Sequence, residues 1–345
     1  VDHRDLVLSA GVVAPLLAQL GASAKISVLR IGTWSLSNLC SKKPPPPFAT
    51  VSSSLPVLAE LIQKEDEEIL INVCTTLFEL SKGQDEKIGA VVGTGVTERV
   101  VELMLHSSTK VQEFAVKIIG NLVSGDEQST QAVIDASALS KFLVLLETKP
   151  AMQKDACYAL SNITAGTSSQ RQVVVDAKII PPVVELLKNA EVGIKIEAAW
   201  VLANATSSAV DAEMEYLVST GVVAVFCGVL DSDDQNLLSV ALEGLENVLK
   251  YGETHILENP FAVDVENVGG LDKIDALQQH EDNGIYEKSL KIREQYFGAV
   301  CEDESQALQN LKKAIDDNNI SEAAKIVKES PESVKEMTPV LKDSN

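Results

Sequence analysis

The sequence contains the five-residue phrase Trp34-Ser-Leu-Ser-Asn38, which returns later as Tyr158-Ala-Leu-Ser-Asn162 and as Trp200-Val-Leu-Ala-Asn204. Residues four apart lie on one face of a helix, so each phrase places an aromatic side chain beside an asparagine. We call these two positions the aromatic slot and the Asn slot. The Asn slot recurs every 41 to 43 residues, at Asn38, Glu79, Asn121, Asn162, Asn204 and Asn247. A period of this length predicts a helical solenoid, in which equivalent residues stack into a ladder.

A second phrase recurs within each period and consists of a glycine followed by an apolar helix. Examples begin at Gly11, Gly95 and Gly221. The glycine is expected to end the preceding helix in the left-handed conformation, and apolar residues at i, i+3 and i+4 predict the next helix. A shorter helix, such as 170–176, completes a unit of three helices, which is the armadillo pattern. We therefore predict an all-α fold, a right-handed armadillo-repeat superhelical solenoid of about seven repeats over residues 1–297.

Some segments depart from this pattern. Four prolines in Lys43–Pro47 cannot continue a helix, so a stiff bend is expected after the first Asn-slot helix. A longer loop is expected over 253–268. Residues 298–345 are polar and charged, with weak helical patterns near 305–316 and 321–329, so we expect an acidic, polar and partly disordered tail. Four glycines are expected to end Asn-slot helices: Gly83, Gly125, Gly166 and Gly252.

The chain is acidic, with 50 Asp and Glu residues against 29 Lys and Arg residues and a formal net charge of −21. This balance argues against nucleic acid or an anionic membrane surface as the partner. It favours a basic partner, although acidity that only maintains solubility is an equally open interpretation. The sequence has no run of 18 apolar residues and no signal peptide, so we predict no membrane span.

The sequence gives no indication of catalysis, a metal or a cofactor. Its five cysteines are far apart and form no CxxC pair, and Cys40, Cys74 and Cys157 lie in apolar helical runs that predict core positions. Four histidines are scattered, and no zinc-protease, serine-hydrolase or P-loop motif is present. We therefore predict a protein that is not an enzyme and that occupies a reducing compartment.

Asparagines and aromatic rings repeated along a concave face would form a peptide-binding groove. An asparagine amide offers both donors and an acceptor, so it can bridge the N–H and C=O groups of an extended peptide. Slots between successive rings accept the aliphatic stems of lysine or arginine and set the charge against a ring face. The alternative is that these residues only pack and cap helices. Asparagine is unfavourable within helices, so its recurrence at five of six Asn slots favours binding.

Acidic residues beside this groove would select a cation over a neutral side chain. Glu197 lies three residues before Trp200 and therefore on about the same face, and Asp126 and Glu127 follow the Asn121 helix at the rim. For each carboxylate taken singly, a solvated surface position is an equally open interpretation. The groove is thus predicted to prefer an extended basic peptide.

Two repeats break the regular row of side chains. Lys117 occupies the aromatic slot beside Asn121, where a cation could attract a peptide carboxylate or repel a basic side chain. Thr75 and Glu79 replace the aromatic and the asparagine in the second repeat. The ladder is therefore expected to be interrupted between the first and third repeats.

These features resemble the importin alpha family, the adaptors that recognise nuclear localisation signals. The resemblance covers residues 1–297 and implies the fourth to tenth of the family's ten armadillo repeats. It also implies an N-terminally truncated chain that lacks the importin-beta-binding segment and the first three repeats. The stretches that carry the resemblance are Thr33–Cys40 with the prolines that follow, Ile119–Gly125, Ala159–Gly166, Glu197–Trp200 and Gly269–His280.

The resemblance also implies where cargo peptides bind. Only the edge of the family's major site is expected here, at Trp34 and Asn38. The family usually has arginine at the position of Lys117 and tryptophan at that of Tyr158, so both changes keep the chemical type. The minor site is expected to be complete and, with Glu127 from the rim, to comprise Lys117, Asn121, Glu127, Thr130, Tyr158, Ser161, Asn162, Glu197, Trp200 and Asn204.

The implied partners are basic nuclear localisation signals of cargo proteins, importin beta, and a nuclear export receptor at the C-terminal repeats near 270–297. The implied location is the cytoplasm and the nucleus, with shuttling through the nuclear pore. The alternative function is an armadillo scaffold that holds a non-basic partner protein. Scaffolds of that kind line their groove with lysine and arginine, so the asparagine ladder with acidic rims favours the first function.

Overall fold

The computed structural model describes residues 2–21, 23–41, 43–207, 209–256 and 259–298. The described part of the chain forms helices, turns and loops without strands. Apart from a short 3-10 turn at Ser52–Ser54, its elements are α1 (Asp2–Ser9), α2 (Val13–Ala18), α3 (Ile26–Cys40), α4 (Phe48–Val51), α5 (Leu55–Leu61), α6 (Glu67–Leu80), α7 (Asp85–Val92), α8 (Thr97–Leu103), α9 (Thr109–Leu122), α10 (Glu127–Asp135), α11 (Ala138–Leu146), α12 (Pro150–Thr164), α13 (Ser168–Asp176), α14 (Ile180–Asn189), α15 (Val192–Thr206), α16 (Asp211–Ser219), α17 (Val222–Gly228), α18 (Gln235–His255), α19 (Pro260–Asn267), α20 (Gly270–Leu277) and α21 (Asn283–Phe297).

The helices group in threes along the chain, which confirms the predicted three-helix repeat. In each group the third helix is the longest, and the third helices of neighbouring groups pack against one another. We call α3, α6, α9, α12, α15 and α18 the ladder helices, because each carries one Asn slot. Seven groups fill residues 2–298, and the fold is an armadillo-repeat solenoid.

Side-chain caps begin several of the ladder helices. The Asp66 carboxylate accepts the backbone N–H of Ile69 at 3.2 Å before α6, and Asp234 accepts that of Leu237 at 3.0 Å before α18. Such caps satisfy N–H groups that have no partner within the helix. At α6 and α18 the polar turn therefore stabilises the start of the ladder helix.

The core is built from aliphatic side chains, as the composition predicts. Phe142 and Phe226 are the aromatic residues among the largest fully buried side chains, and the remainder are Leu, Ile and Met. Cys40, Cys74 and Cys157 are buried as expected, and burial raises the pKa of each thiol to about 12. These cysteines thus act as small core residues.

The turn between the first and second helices of a repeat requires a left-handed residue. Gly221 has a φ of 88° in this turn. Ser137 and Lys178 take the equivalent position in the fourth and fifth repeats at φ values of 65° and 60°. A search for glycine alone misses these two turns, because the solenoid packing imposes a backbone conformation that serine and lysine adopt only at a cost.

The expectation that Gly252 ends a ladder helix is wrong. Helix α18 continues through Gly252 to His255, because the side chain of Asn259 packs against the bare Cα of this glycine. The expected loop over 253–268 is wrong as well, since it contains α19. The prolines at 44–47 do separate α3 from α4, as predicted.

Residues 299–345, which include nearly all of the expected tail and its weakly helical stretches, lie outside the described residues. Within the described ranges, no single helix is long and apolar enough to cross a membrane. The pair α10 and α11 meets the requirements of length and composition only when taken together, and it is bent by 78°.

The left-handed turn can be tested with two glycines of the sixth repeat. Gly221→Ala is expected to lower the free energy of unfolding by about 1 kcal/mol, because alanine is disfavoured at positive φ. Gly228→Ala is the control, since Gly228 lies in α17 with ordinary φ and both positions have open space for a methyl group. It should raise the same free energy by about 0.4–1 kcal/mol. Urea unfolding followed by circular dichroism measures both, and an equal loss would contradict the assignment.

Candidate peptide-binding groove

The ladder helices bring the Asn slots together along one row. Asn121 on α9 donates its Nδ2 protons to the Phe78 carbonyl (3.2 Å) and the Ser81 hydroxyl (2.9 Å) of the preceding repeat. Asn204 donates in the same way to the Ser161 carbonyl at 2.9 Å. Because bonds of this kind join adjacent ladder helices, equivalent Asn slots lie next to one another. We call the surface formed by the aromatic and Asn slots the groove.

In the five asparagines of the ladder the amide nitrogen donates hydrogen bonds, whereas the amide oxygen accepts none from the described part of the chain. Asn247 donates to the Ala203 carbonyl at 3.1 Å, whereas Asn38 and Asn162 donate to carbonyls of their own helices at 2.9 and 3.0 Å. None of the five Oδ1 atoms accepts a hydrogen bond from the described part of the chain. The interpretation as structural residues is thus correct for the nitrogens, while the oxygens remain available as acceptors.

The aromatic slots expose large apolar side chains in the same row. Trp34, Tyr158 and Trp200 are 59%, 43% and 37% exposed. The Tyr158 ring lies over Gly120 of the preceding ladder helix, where an added Cβ would stand 3.2 Å from ring atom Cδ1. A small residue directly before the Asn slot therefore leaves room for the aromatic ring of the next repeat. Exposed rings of this size are typical of binding surfaces rather than of a core.

A group of charged side chains lies beside these rings. Burial raises the pKa of Glu197, while Lys154 lowers it and Asp155 raises it further. Burial likewise raises the pKa of Asp155, where Lys117 and Lys154 act in the opposite direction. Carboxylates and lysines of three successive ladder helices are thus close enough for their charges to interact across the groove. Partly desolvated carboxylates attract a cation more strongly than fully exposed ones do.

Asp155 and Lys154 are groove residues that sequence reasoning missed. Asp155 stands three residues before Tyr158, just as Glu197 stands three residues before Trp200. Applying the spacing found at Glu197 to the fourth repeat would have identified it. The groove therefore carries two acids at equivalent positions of neighbouring repeats.

Other expected site residues are placed differently. Thr130 is buried and donates to the Val123 carbonyl at 3.3 Å, and Ser161 is buried and donates to the Tyr158 carbonyl at 2.8 Å. Each hydroxyl therefore donates its proton to a backbone carbonyl within the protein. Glu127 is exposed at the start of α10. Asp126, expected at the rim with Glu127, is exposed and caps α10.

The cap at Asp126 has a clear chemical signature. Its Oδ1 accepts the backbone N–H of Ser129 at 2.8 Å. Hydrogen bonds from Ser129 lower the pKa of this carboxyl, because they stabilise its charged form. Its charge is thus committed to the helix start.

The second repeat interrupts the row, as predicted. The Thr75 hydroxyl donates to the Ile71 carbonyl at 2.7 Å, and the Glu79 carboxylate pairs with Lys82 at 2.7 Å.

Among the described residues no group of three or more His, Cys, Asp or Glu side chains could hold a metal ion.

Family models match several repeats of the chain. The "Armadillo/beta-catenin-like repeat" model matches residues 1–41, 126–165 and 167–207, which correspond to the first, fourth and fifth three-helix groups. The "Atypical Arm repeat" model matches residues 259–310. That match contains the seventh group and extends into the segment that sequence analysis assigned to the tail.

Solved structures with the same fold include engineered repeat proteins. One engineered protein superimposes with a TM-score of 0.75 over 96% of this chain and 90% of its own, at 22% identity. A designed armadillo repeat protein in complex with peptide (KR)4 gives a TM-score of 0.63 over 68% of this chain and 96% of its own, at 25% identity. The first shows the fold alone, and the second is a designed armadillo repeat protein that binds the peptide (KR)4.

Natural relatives are similar over most of the chain. Importin subunit alpha-1b of Oryza sativa subsp. japonica is 44% identical over 301 residues, covering 85% of this chain and 56% of the relative. Importin subunit alpha-8 of Arabidopsis thaliana is 37% identical over 298 residues, covering 85% of this chain and 67% of the relative. The chain spans a little over half the length of most of these relatives. With its seven three-helix repeats and its asparagine ladder, the chain belongs to the importin alpha family.

Proposed function

We propose that this chain is the cargo-binding part of a nuclear import adaptor and that it binds basic nuclear localisation signals as extended peptides. The observation that carries the proposal is the combination, on one row of ladder helices, of free asparagine oxygens, exposed rings and partly desolvated acids. The likeness to importin alpha subunits, which are transport adaptors rather than enzymes, supports it. Binding without catalysis follows from this proposal.

The groove would hold the peptide mainly through its backbone. The Oδ1 atoms of Asn121, Asn162 and Asn204 would accept peptide N–H groups at successive repeats. Because these contacts ignore the peptide's side chains, they give affinity without reading the sequence. Selectivity would come from the slots between the rings, where a lysine or arginine stem packs and its charge meets Asp155 or Glu197.

The partners of the whole protein follow from the same family. We propose that cargo is linked to importin beta through a segment outside these 345 residues, and that a nuclear export receptor contacts the C-terminal repeats near 270–297. We propose shuttling between cytoplasm and nucleus as the location. The division into an armadillo region at 1–297 and a tail at 298–345 is part of this proposal.

Charge selection is tested by reversing one groove acid. Glu197→Lys should weaken binding of a fluorescent peptide of alternating lysine and arginine by roughly tenfold, because attraction is replaced by repulsion beside Lys154. Glu191→Lys is the matched control, since it makes the same charge change at the exposed start of the same helix. Fluorescence anisotropy at about 0.1 M and about 0.5 M salt separates local selection from general charge attraction.

The outcomes distinguish the two candidate functions. A larger loss in Glu197→Lys than in Glu191→Lys supports a groove that selects cations. Equal losses would mean that the net charge of −21 alone attracts the peptide. Tighter binding of a peptide in which Asp and Glu replace Lys and Arg would favour the scaffold function and overturn the adaptor.

A further inference from the structure

In the second repeat the ammonium group of Lys82 lies beside an aromatic ring and a carboxylate, and we call the place that it occupies the pocket. The Lys82 Nζ atom lies 3.9 Å from the centroid of the Phe78 ring and 2.7 Å from the Glu79 carboxylate. The Phe114 ring of the next ladder helix packs against Phe78 with centroids 5.8 Å apart and planes tilted by 57°. An aromatic face and a carboxylate around an ammonium group form the arrangement expected for a bound lysine.

These residues depart together from the pattern of the first, third, fourth and fifth repeats. The position before the Asn slot is small in the first, third, fourth and fifth repeats, whereas the second repeat has Phe78. The position three residues after the Asn slot is serine or alanine in those same repeats, whereas the second has Lys82. Glu79 is the one Asn slot that is not asparagine. Among these five repeats a lysine thus appears only where a ring and an acid replace the small residue and the asparagine. The sixth repeat also has a lysine at this position, Lys250, but it has Glu246 before its Asn slot and keeps the asparagine.

The exchange of ring positions has a simple geometric meaning. In the third repeat Gly120 leaves room for the ring that Tyr158 supplies from the ladder helix of the fourth repeat. At the joint of α6 and α9 the next aromatic slot holds Lys117, and the ring comes from the preceding helix as Phe78. The joint therefore still has a ring, supplied from the opposite side.

The pocket adjoins the ladder. Asn121 donates to the Phe78 carbonyl and to the Ser81 hydroxyl, so its amide stands directly beside the residues that form the pocket. A peptide that follows the asparagine ladder towards the second repeat would meet Phe78 and Glu79 next. The pocket is thus placed to receive a side chain of such a peptide.

We propose that Phe78 and Glu79 form a lysine- or arginine-binding subsite of the groove, and that Lys82 occupies it as an internal competitor of the cargo peptide. This inference rests on the proposed function. Lys82 is displaceable, because its side chain is 42% exposed and it is joined to Glu79 by a surface ion pair three residues away. Its place in the turn directly after α6, three residues from Glu79, keeps its local concentration high, so a cargo side chain must compete with it.

Removing the competitor should open the subsite. Lys82→Ala is expected to bind a sixteen-residue peptide of alternating lysine and arginine roughly three- to tenfold more tightly than the unmodified chain. At about 3.3 Å per residue this peptide reaches over about 50 Å, enough to extend beyond one repeat. The matched control is Lys250→Ala, which removes the same charge three residues after the Asn slot of the sixth repeat. It should change the affinity by less than about twofold.

A second variant tests the subsite itself. Adding Glu79→Gln to Lys82→Ala should abolish the gain, because the freed ring then lacks its carboxylate. The inference is overturned if Lys82→Ala gains no more than Lys250→Ala, or if the gain persists in the double variant. Thermal unfolding of each variant, followed by circular dichroism, checks that the repeats remain folded.

The failure of this inference differs from the failure of the proposed function. Binding that is lost in Glu197→Lys but equal in Lys82→Ala and Lys250→Ala overturns the internal competitor alone. A folded chain that binds no basic peptide in any variant overturns both. Peptide binding that appears only in Lys82→Ala supports the competitor and shows that it controls access to the groove.

Discussion

Phe142→Ala is expected to lower the free energy of unfolding by about 3–5 kcal/mol. The Phe142 side chain is fully buried in α11 and is one of two phenylalanines among the largest fully buried side chains. Its removal would leave a cavity that the neighbouring helices cannot close, because they are held at fixed spacing by the repeats on both sides. Urea unfolding followed by circular dichroism at the helical minimum measures the loss.

The control for this prediction lies on the same helix. Val144 is exposed two residues further along α11, so Val144→Ala removes apolar atoms of similar chemistry without opening the core. Its effect should stay within about 0.5 kcal/mol. A comparable loss in both variants would contradict the placement of Phe142 in the core, because alanine has the higher helix propensity at both positions and the loss would then not depend on burial.

Trp200→Ala is expected to weaken binding of a basic peptide by roughly 30-fold or more, the effect typical of an aromatic hot spot. Trp200 is partly exposed, it shares its helix face with Asn204, and the acid Glu197 stands three residues before it. Its removal would take away both the wall that packs the aliphatic stem and the ring face that attracts the cation. Fluorescence anisotropy with a labelled peptide of alternating lysine and arginine measures the change.

Val192→Ala serves as the control for the tryptophan. Val192 is an exposed apolar residue at the start of the same helix, α15, and lies two turns before Trp200. Its replacement should leave the peptide affinity unchanged. Equal weakening in the two variants would indicate a general disturbance of α15, and an unaffected Trp200→Ala would remove this aromatic slot from the binding surface.

Much of the fold can be predicted from the repeat period of the sequence. The recurrence of the Asn slot fixes the repeat length, and the apolar spacing between slots predicts the three helices that are found. The turns at Ser137 and Lys178 are harder to predict, because their left-handed conformation is imposed by packing rather than by residue type. The prediction at Gly252 is wrong for the converse reason. This glycine lets the side chain of Asn259 approach closely and does not end a helix.

The groove is predicted less completely than the fold. Spacing alone places Tyr158, Trp200 and their asparagines on one surface, and the exposure of these rings agrees. Spacing says nothing about which amide atoms are already bonded, because the amides of Asn121 and Asn204 donate to carbonyls more than 40 residues away, whereas that of Asn162 donates within its own helix. It also cannot separate Asp126, which caps a helix, from Glu197, which faces the groove.

The asparagine bonds between repeats also decide how the solenoid deforms. Asn121, Asn204 and Asn247 cross-link three joints between ladder helices. At the joint of α3 and α6, where Glu79 pairs with Lys82, Asn72 donates to the Thr33 hydroxyl at 3.3 Å instead. Asn162 bonds within its own helix and leaves the joint of α9 and α12 without an asparagine link. A coil of stacked repeats behaves like a spring whose stiffness is set joint by joint. Under mechanical load, as when the coil wraps around a bulky partner or passes through a narrow channel, this joint should yield first and act as a hinge. Bending at this joint would change the distance between Lys117 and Tyr158, so the width of the groove would depend on the force applied to the whole solenoid.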